Sequence, residues 1–100
     1  MRVIAKSTLV KFWEGNAAYS DAIRPLTEWY NMMLKAKWSN PQELKADIRT
    51  ASIIKGGRAV FNIAGNKYRI IVSIDYNLQI AWVKFVGTHS QYDKIDAETV

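Results

Sequence analysis

The stretch RAVFNIAGNKYRIIVSIDYNLQIAWVKFV, from Arg58 to Val86, decides the fold. It contains three runs rich in Val, Ile and Phe, namely Ala59–Ile63, Tyr68–Ile74 and Gln79–Val86. Side chains of those types suit a pleated, half-buried surface. The turn signals between the runs are short, Gly65-Asn66 and then Asp75-Tyr76-Asn77. Connections of that length join antiparallel neighbours, so the three runs predict a meander. In the middle run Tyr68, Ile70, Val72 and Ile74 alternate with Arg69, Ile71 and Ser73. The first set is wholly apolar or aromatic and is expected to face the core. Arg69 then stands on the opposite, open face. In the last run Ile80, Trp82, Lys84 and Val86 alternate with Ala81, Val83 and Phe85. Both faces there are greasy, with Lys84 emerging from one of them.

Upstream of this stretch the period changes from two to that of a helix. Ser52–Ile54 reads as a short strand turned into the meander by Gly56-Gly57. Asn40-Pro41-Gln42-Glu43 opens a short helix, with Asn40 as cap, Pro41 in the first turn and Glu43 reaching back. A longer helix is predicted to begin between Asp21 and Pro25 and to run to about Lys37. Its apolar face is Ile23, Leu26, Tyr30, Met33 and Leu34, with Trp29 beside it. A first helix, capped by Ser7, carries Leu9, Val10, Phe12 and Trp13 and ends near Gly15-Asn16, a left-handed stop. Arg2–Ala5 is a short strand. The expected fold class is α+β, with N-terminal helices packed on one face of a small, mostly antiparallel sheet. No repeat or linker-like tract interrupts residues 1–100, which are read as a single domain.

The chain has 100 residues, 49% of them hydrophobic, and no cysteine. A chain of this size buries roughly two-thirds of its unfolded surface, enough for one core. Without cysteine there is no disulfide framework, thiolate metal site or cysteine nucleophile. No apolar run approaches the ~18 residues of a membrane span, and the expected setting is the cytoplasm with no membrane contact. Fourteen Lys and Arg against nine Asp and Glu give a net charge of +5. Residues 49–92 hold Arg49, Lys55, Arg58, Lys67, Arg69 and Lys84 against Asp75 alone, whereas residues 93–100 hold Lys94 against Asp93, Asp96 and Glu98. Positive charge gathered on one stretch is what a polyanion-binding face requires.

Glycine-rich phosphate loops, HExxH and GxSxG are all missing. One histidine and no cysteine argue against a metal site of the nitrogen-and-sulfur kind, and Asp93 with Asp96 is a weak Mg²⁺ candidate. The remaining chemistry lies near the strand ends: Arg69, Lys84, His89, Tyr92 and Asp93, with Asn62 and Asn66 close in sequence. Each has a plainer reading. His89 serves as a surface or hydrogen-bonded structural residue, Arg69 as a solvated partner of Asp75 or Glu28, and Tyr92 as a cap on the core edge. Asn66 suits the turn through its tolerance of left-handed backbone. Trp13, Trp29 and Trp38 belong to helix–sheet packing, and the same reading is favoured for Trp82 over stacking on a base.

Residues 58–96 closely resemble the HigB-type toxins of bacterial toxin–antitoxin modules. The resemblance rests on two stretches taken together, FNIxGNxYR at residues 61–69 and GTHxxYDKID at residues 87–96. Asn40-Pro41-Gln42-Glu43-Leu44-Lys45 and Glu28-Trp29-Tyr30 are similar to that family as well. The resemblance implies a RelE-like fold and endoribonuclease activity on mRNA held in the ribosomal decoding site, with no cofactor and no metal. It further implies catalytic roles for Arg69, His89, Tyr92 and Lys84; RNA contacts are expected from Arg58, Lys67, Asn62 and Lys94. Lys84 departs from many relatives, which carry arginine there; an ammonium replaces a bidentate fork. The implied partners are mRNA, the ribosome and a cognate helix-turn-helix antitoxin, with operator DNA reached only through that antitoxin.

These residue types fit RNA transesterification, in which a ribose 2′-OH attacks the adjacent phosphate and expels the 5′-oxygen. Arg69 and Lys84 suit the developing charge, and His89 suits proton transfer. A second reading is a non-cleaving toxin of the same fold that blocks the ribosome or gyrase by occupancy. A third is an inactive relative that serves only as co-repressor.

Overall fold

The centre of the sheet is one strand that buries one of its faces completely. The computed structural model describes residues 1–100. In chain order the elements are β1 (Arg2–Ile4), α1 (Lys6–Glu14), a 3₁₀ segment (Ala17–Ala22), α2 (Ile23–Lys35), α3 (Pro41–Asp47), β2 (Ser52–Ile54), β3 (Arg58–Ile63), β4 (Tyr68–Asp75), β5 (Ile80–Thr88) and α4 (His89–Tyr92). The five strands form one sheet in the order β1-β5-β4-β3-β2, antiparallel throughout except for the parallel β1–β5 pair. This is the expected α+β architecture, with the meander at its centre. No helix is long and apolar enough to cross a membrane.

Tyr68, Ile70, Val72 and Ile74 of β4 join Ala59, Phe61 and Ile63 of β3 in the core, under Leu9 of α1 and Leu26, Trp29 and Met33 of α2. The buried stripe of α2 is thus rotated from the expected one. Ile23 and Leu34 stay 41% and 46% exposed, while Trp29 turns inward onto Phe61. Asn40 caps α3 as expected, its Oδ1 accepting from Glu43 N at 2.9 Å. Glu43 reaches back one residue further, to Ser39 N.

Three local expectations fail for identifiable reasons. Ser7 does not cap α1, because the helix already starts at Lys6 after an extended Ala5. Gly15 is right-handed (φ −70°), and the 3₁₀ segment follows at once, capped by the Asn16 side chain on Ala18 N. On β5 the register slips between Ile71↔Phe85 and Val72↔Val83, leaving Lys84 unmatched. One extra residue inverts the alternation beyond it. Val83 and Val86 therefore pack on the helix-backed core, and Phe85 falls opposite Ile71.

The face away from the helices is not bare. Val60 and Ile71, paired across β3 and β4, are 3% and 0% exposed although neither belongs to the core beneath the helices. The segment after α4 crosses this side of the sheet. It leaves α4 beside Arg69 and ends at Arg58, whose Nη1 donates to the carbonyls of Ala97 (2.9 Å) and Val100 (2.8 Å). Arg58 and Arg69 lie four positions apart in the strand register, so this acidic segment runs along the open face.

Candidate active site

Arg69 occupies the second position of β4, on the open face, opposite Asn62 of β3 and Gly87 of β5. Its guanidinium is held by two neighbours. Asn66 Oδ1 accepts from Nε at 3.3 Å and from Nη2 at 3.1 Å. The Tyr92 ring covers one face of the guanidinium, with Cζ 4.6 Å from the ring centroid. Neither Asp75 nor Glu28 pairs with it; Asp75 turns to Leu78 N and Glu28 to Arg24. Nη1 is left without a protein partner.

His89 and Tyr92 sit on α4, a single helical turn fixed more firmly than its length suggests. Thr88 accepts from Gln91 N (3.1 Å) while Gln91 Oε1 accepts from Thr88 N (2.9 Å), a reciprocal cap. Gln91 Nε2 donates onward to Tyr19 OH, and His89 N donates to Lys67 O, which ties the turn to the start of β4. Gly87 makes the approach feasible. A Cβ there would stand 2.6 Å from the Phe85 ring and 2.7 Å from Gln91 Oε1. His89 Nδ1 lies 3.2 Å from Asp93 Oδ2, with both side chains about half exposed. That leaves Nε2 as the imidazole nitrogen available to a ligand.

The remaining candidates separate into two groups. Asn62 stays beside Arg69, exposed, with its amide 3.4 Å from Thr50 O. Lys94 is exposed just beyond α4. Lys84 projects from the bulge on β5, exposed and three residues from Gly87, roughly 10 Å along the strand. It does not meet Arg69. Arg58 is committed to the tail carbonyls, and Lys67 pairs with Asp21.

Asp21 is shared between Lys67 and the buried Tyr68 hydroxyl. The Lys67 hydrogen bond, then that of Tyr68, holds the Asp21 carboxyl below the usual range. Its partner Lys67 is raised by the same bond, and burial followed by the Asp21 hydrogen bond raises Tyr68. Tyr68 packs edge-on against Phe12 and Tyr19, which are stacked with ring centroids 4.5 Å apart. An aromatic cluster therefore lies on the helix-backed side of the start of β4, joined to α4 through Tyr19 and Gln91. No group of three or more His, Cys, Asp or Glu side chains is arranged to hold a metal ion. Asp93 faces His89, and Asp96 accepts from Glu98 N.

Residues 22–95, which include Asn66, Arg69, His89 and Tyr92, match the family model described as the HigB toxin, RelE-like toxic component of a toxin–antitoxin system. The chain belongs to the HigB toxin family. Over 65 residues it is 29% identical to the mRNA interferase toxin HigB of Escherichia coli K12, covering 63% of this chain and 62% of that protein. The mRNA interferases HigB of Escherichia coli O157:H7 and of Shigella flexneri match with the same identity and coverage. The chain thus aligns with about 62% of the length of these curated relatives. Asn66, read from the sequence as a turn residue, bonds the Arg69 guanidinium through its side chain. The signal was the three-residue spacing of Asn66 and Arg69 in GNxYR.

Proposed function

We propose that this chain is a toxin that stops translation by cutting mRNA on the ribosome, through attack of a ribose 2′-oxygen on the adjacent phosphorus. The bond to the 5′-oxygen breaks, the 2′-OH proton passes to a base, and the departing 5′-oxygen takes a proton. The observation that carries this reading is Arg69. A cation on an open sheet face is held on one edge by Asn66 and on one face by Tyr92, and its Nη1 has no protein partner. A pre-placed cation of that kind stabilises charge that develops on a phosphate without reorganising. His89 lies on the neighbouring turn with Nε2 free, and proton transfer is assigned to it. The relatives' name, mRNA interferase, points to the same chemistry.

Asn62 and Lys94 flank the site, and Lys84 supplies docking charge from the bulge, a role that suits its position better than contact with the reacting phosphate. Arg58 and Lys67 act through the tail and through Asp21, and add to the positive field. A family of toxic components implies an antitoxin, and the reading pairs this chain with a helix-turn-helix protein that alone contacts operator DNA. Primer extension on messages from cells expressing the chain tests the reading. Discrete cuts within translated regions are expected, and growth arrest without cuts would replace it with block by occupancy of the ribosome or gyrase.

A further inference from the structure

The turn between β3 and β4 does not ask for asparagine at position 66. Its left-handed positions are taken by Ala64 (φ 53°) and Gly65 (φ 73°), and Asn66 has no positive φ. The backbone tolerance that makes asparagine common in turns is unused here. What is used is the side chain. Its single amide oxygen accepts from two guanidinium nitrogens of Arg69, and no other side chain bonds to that guanidinium.

We infer that Asn66 is a positioning residue, whose side-chain oxygen fixes the Arg69 guanidinium so that its Nη1 corner meets the phosphate being cut. The inference rests on the nuclease reading of the same site. The Nε–Nη2 edge is the fork with which arginine most often grips an anion. With that edge on Asn66 and one face under Tyr92, the phosphate is left the Nη1 corner and the outer N–H of Nη2. A neutral acceptor holds the cation without cancelling its charge, as a carboxylate at 66 would. An unheld arginine samples many rotamers and has to be gathered during the reaction. Anchoring it beforehand removes that cost, and misplacing such a group by about 1 Å lowers rates as much as ~10²-fold.

Three variants and one resonance test this: Asn66→Ala, Asn66→Asp, and Asn66→Ala combined with Arg69→Lys. Asn66→Ala is expected to lower single-turnover cleavage of ribosome-bound message by roughly 10- to 100-fold. Ribosome affinity should change less than about threefold, since the charge remains, and the melting temperature should stay within about 2 °C. The Arg69 Nε–H signal, protected in the parent protein, should be lost in Asn66→Ala and kept in Asn66→Asp. In the Arg69→Lys background, which has no Nε–Nη2 edge to hold, removing Asn66 should cost under about twofold. A full multiplicative loss in that background, or parental cleavage by Asn66→Ala, would overturn the inference. A parent protein that makes no cuts defeats the nuclease reading instead. The Nε–H signal still decides the anchor in that case, and its persistence in Asn66→Ala would overturn it.

Discussion

The two faces of β4 are built on different rules. Tyr68, Ile70, Val72 and Ile74 face the helices, and none is more than 6% exposed. There a residue is specified by its volume and by the neighbours it fills against. Arg69, Ile71 and Ser73 face the other way, and only Ile71 is buried. There Arg69 is specified by individual partners: Asn66, three residues before it, on its edge, and Tyr92 of α4 on its face. Damage to the first face should unfold the protein. Damage to the second should leave it folded and silent.

The largest structural effect is therefore expected at Ile70. Ile70→Ala leaves a cavity in a fully buried position and should cost about 2–5 kcal/mol. Ser73→Ala, on the open face of the same strand, should stay within about 0.5 kcal/mol. Urea unfolding of the two variants checks the contrast. Equal losses would mean that the tail packs the open face as tightly as the helices pack the other.

Gly87→Ala should fall between these extremes. Its Cβ meets the Phe85 ring and Gln91 Oε1 below any normal contact distance, and such crowding typically costs about 1–3 kcal/mol. Because that Gln91 oxygen caps Thr88 N, the same methyl should dislodge α4 and lower cleavage along with stability. Unfolding and cleavage measured side by side show whether the two losses travel together.

A small effect is expected at Asp21, and its mark is pH dependence rather than size. Asp21 is held below its ordinary value in the folded protein, so its contribution is present above the usual carboxylate range and is lost as pH falls through the lowered value. Lys67 is raised, so its share persists through neutral pH and is lost only as alkaline pH passes the raised value. The melting temperature of Asp21→Asn should thus lie below that of the parent at neutral pH, with the gap closing on acidification. A gap that is constant from neutral to acid pH would mean that Asp21 contributes packing alone.

The same division explains what could be read from the sequence. The helix-backed face was legible because period-two alternation in Tyr68–Ile74 is a strong, local signal. The outward side of Arg69 follows from it, and the meander follows from the short turns at Gly65-Asn66 and Asp75-Tyr76-Asn77. The bulge at Lys84 was not legible, since a run that is apolar on both faces gives no alternation to break. The rotation of α2 toward Trp29 depends on Phe61, far away in sequence. The 3₁₀ segment was hidden behind Gly15-Asn16, a pair that reads as a stop. At the site, Arg69, His89 and Tyr92 were visible as residue types near strand ends. The commitments of Arg58 and Lys67 were not, because one answers to tail carbonyls and the other to Asp21, 46 residues away.

The central claim is that the open face of β4 carries chemistry and the other face carries the fold. Single-turnover cleavage of message on programmed ribosomes by Arg69→Ala, alongside its thermal unfolding, tests it most directly. The expected result is cleavage reduced by roughly 10²–10³-fold, the loss typical when one charge-stabilising donor is removed, with unfolding unchanged. Parental cleavage by a folded Arg69→Ala protein would contradict the account.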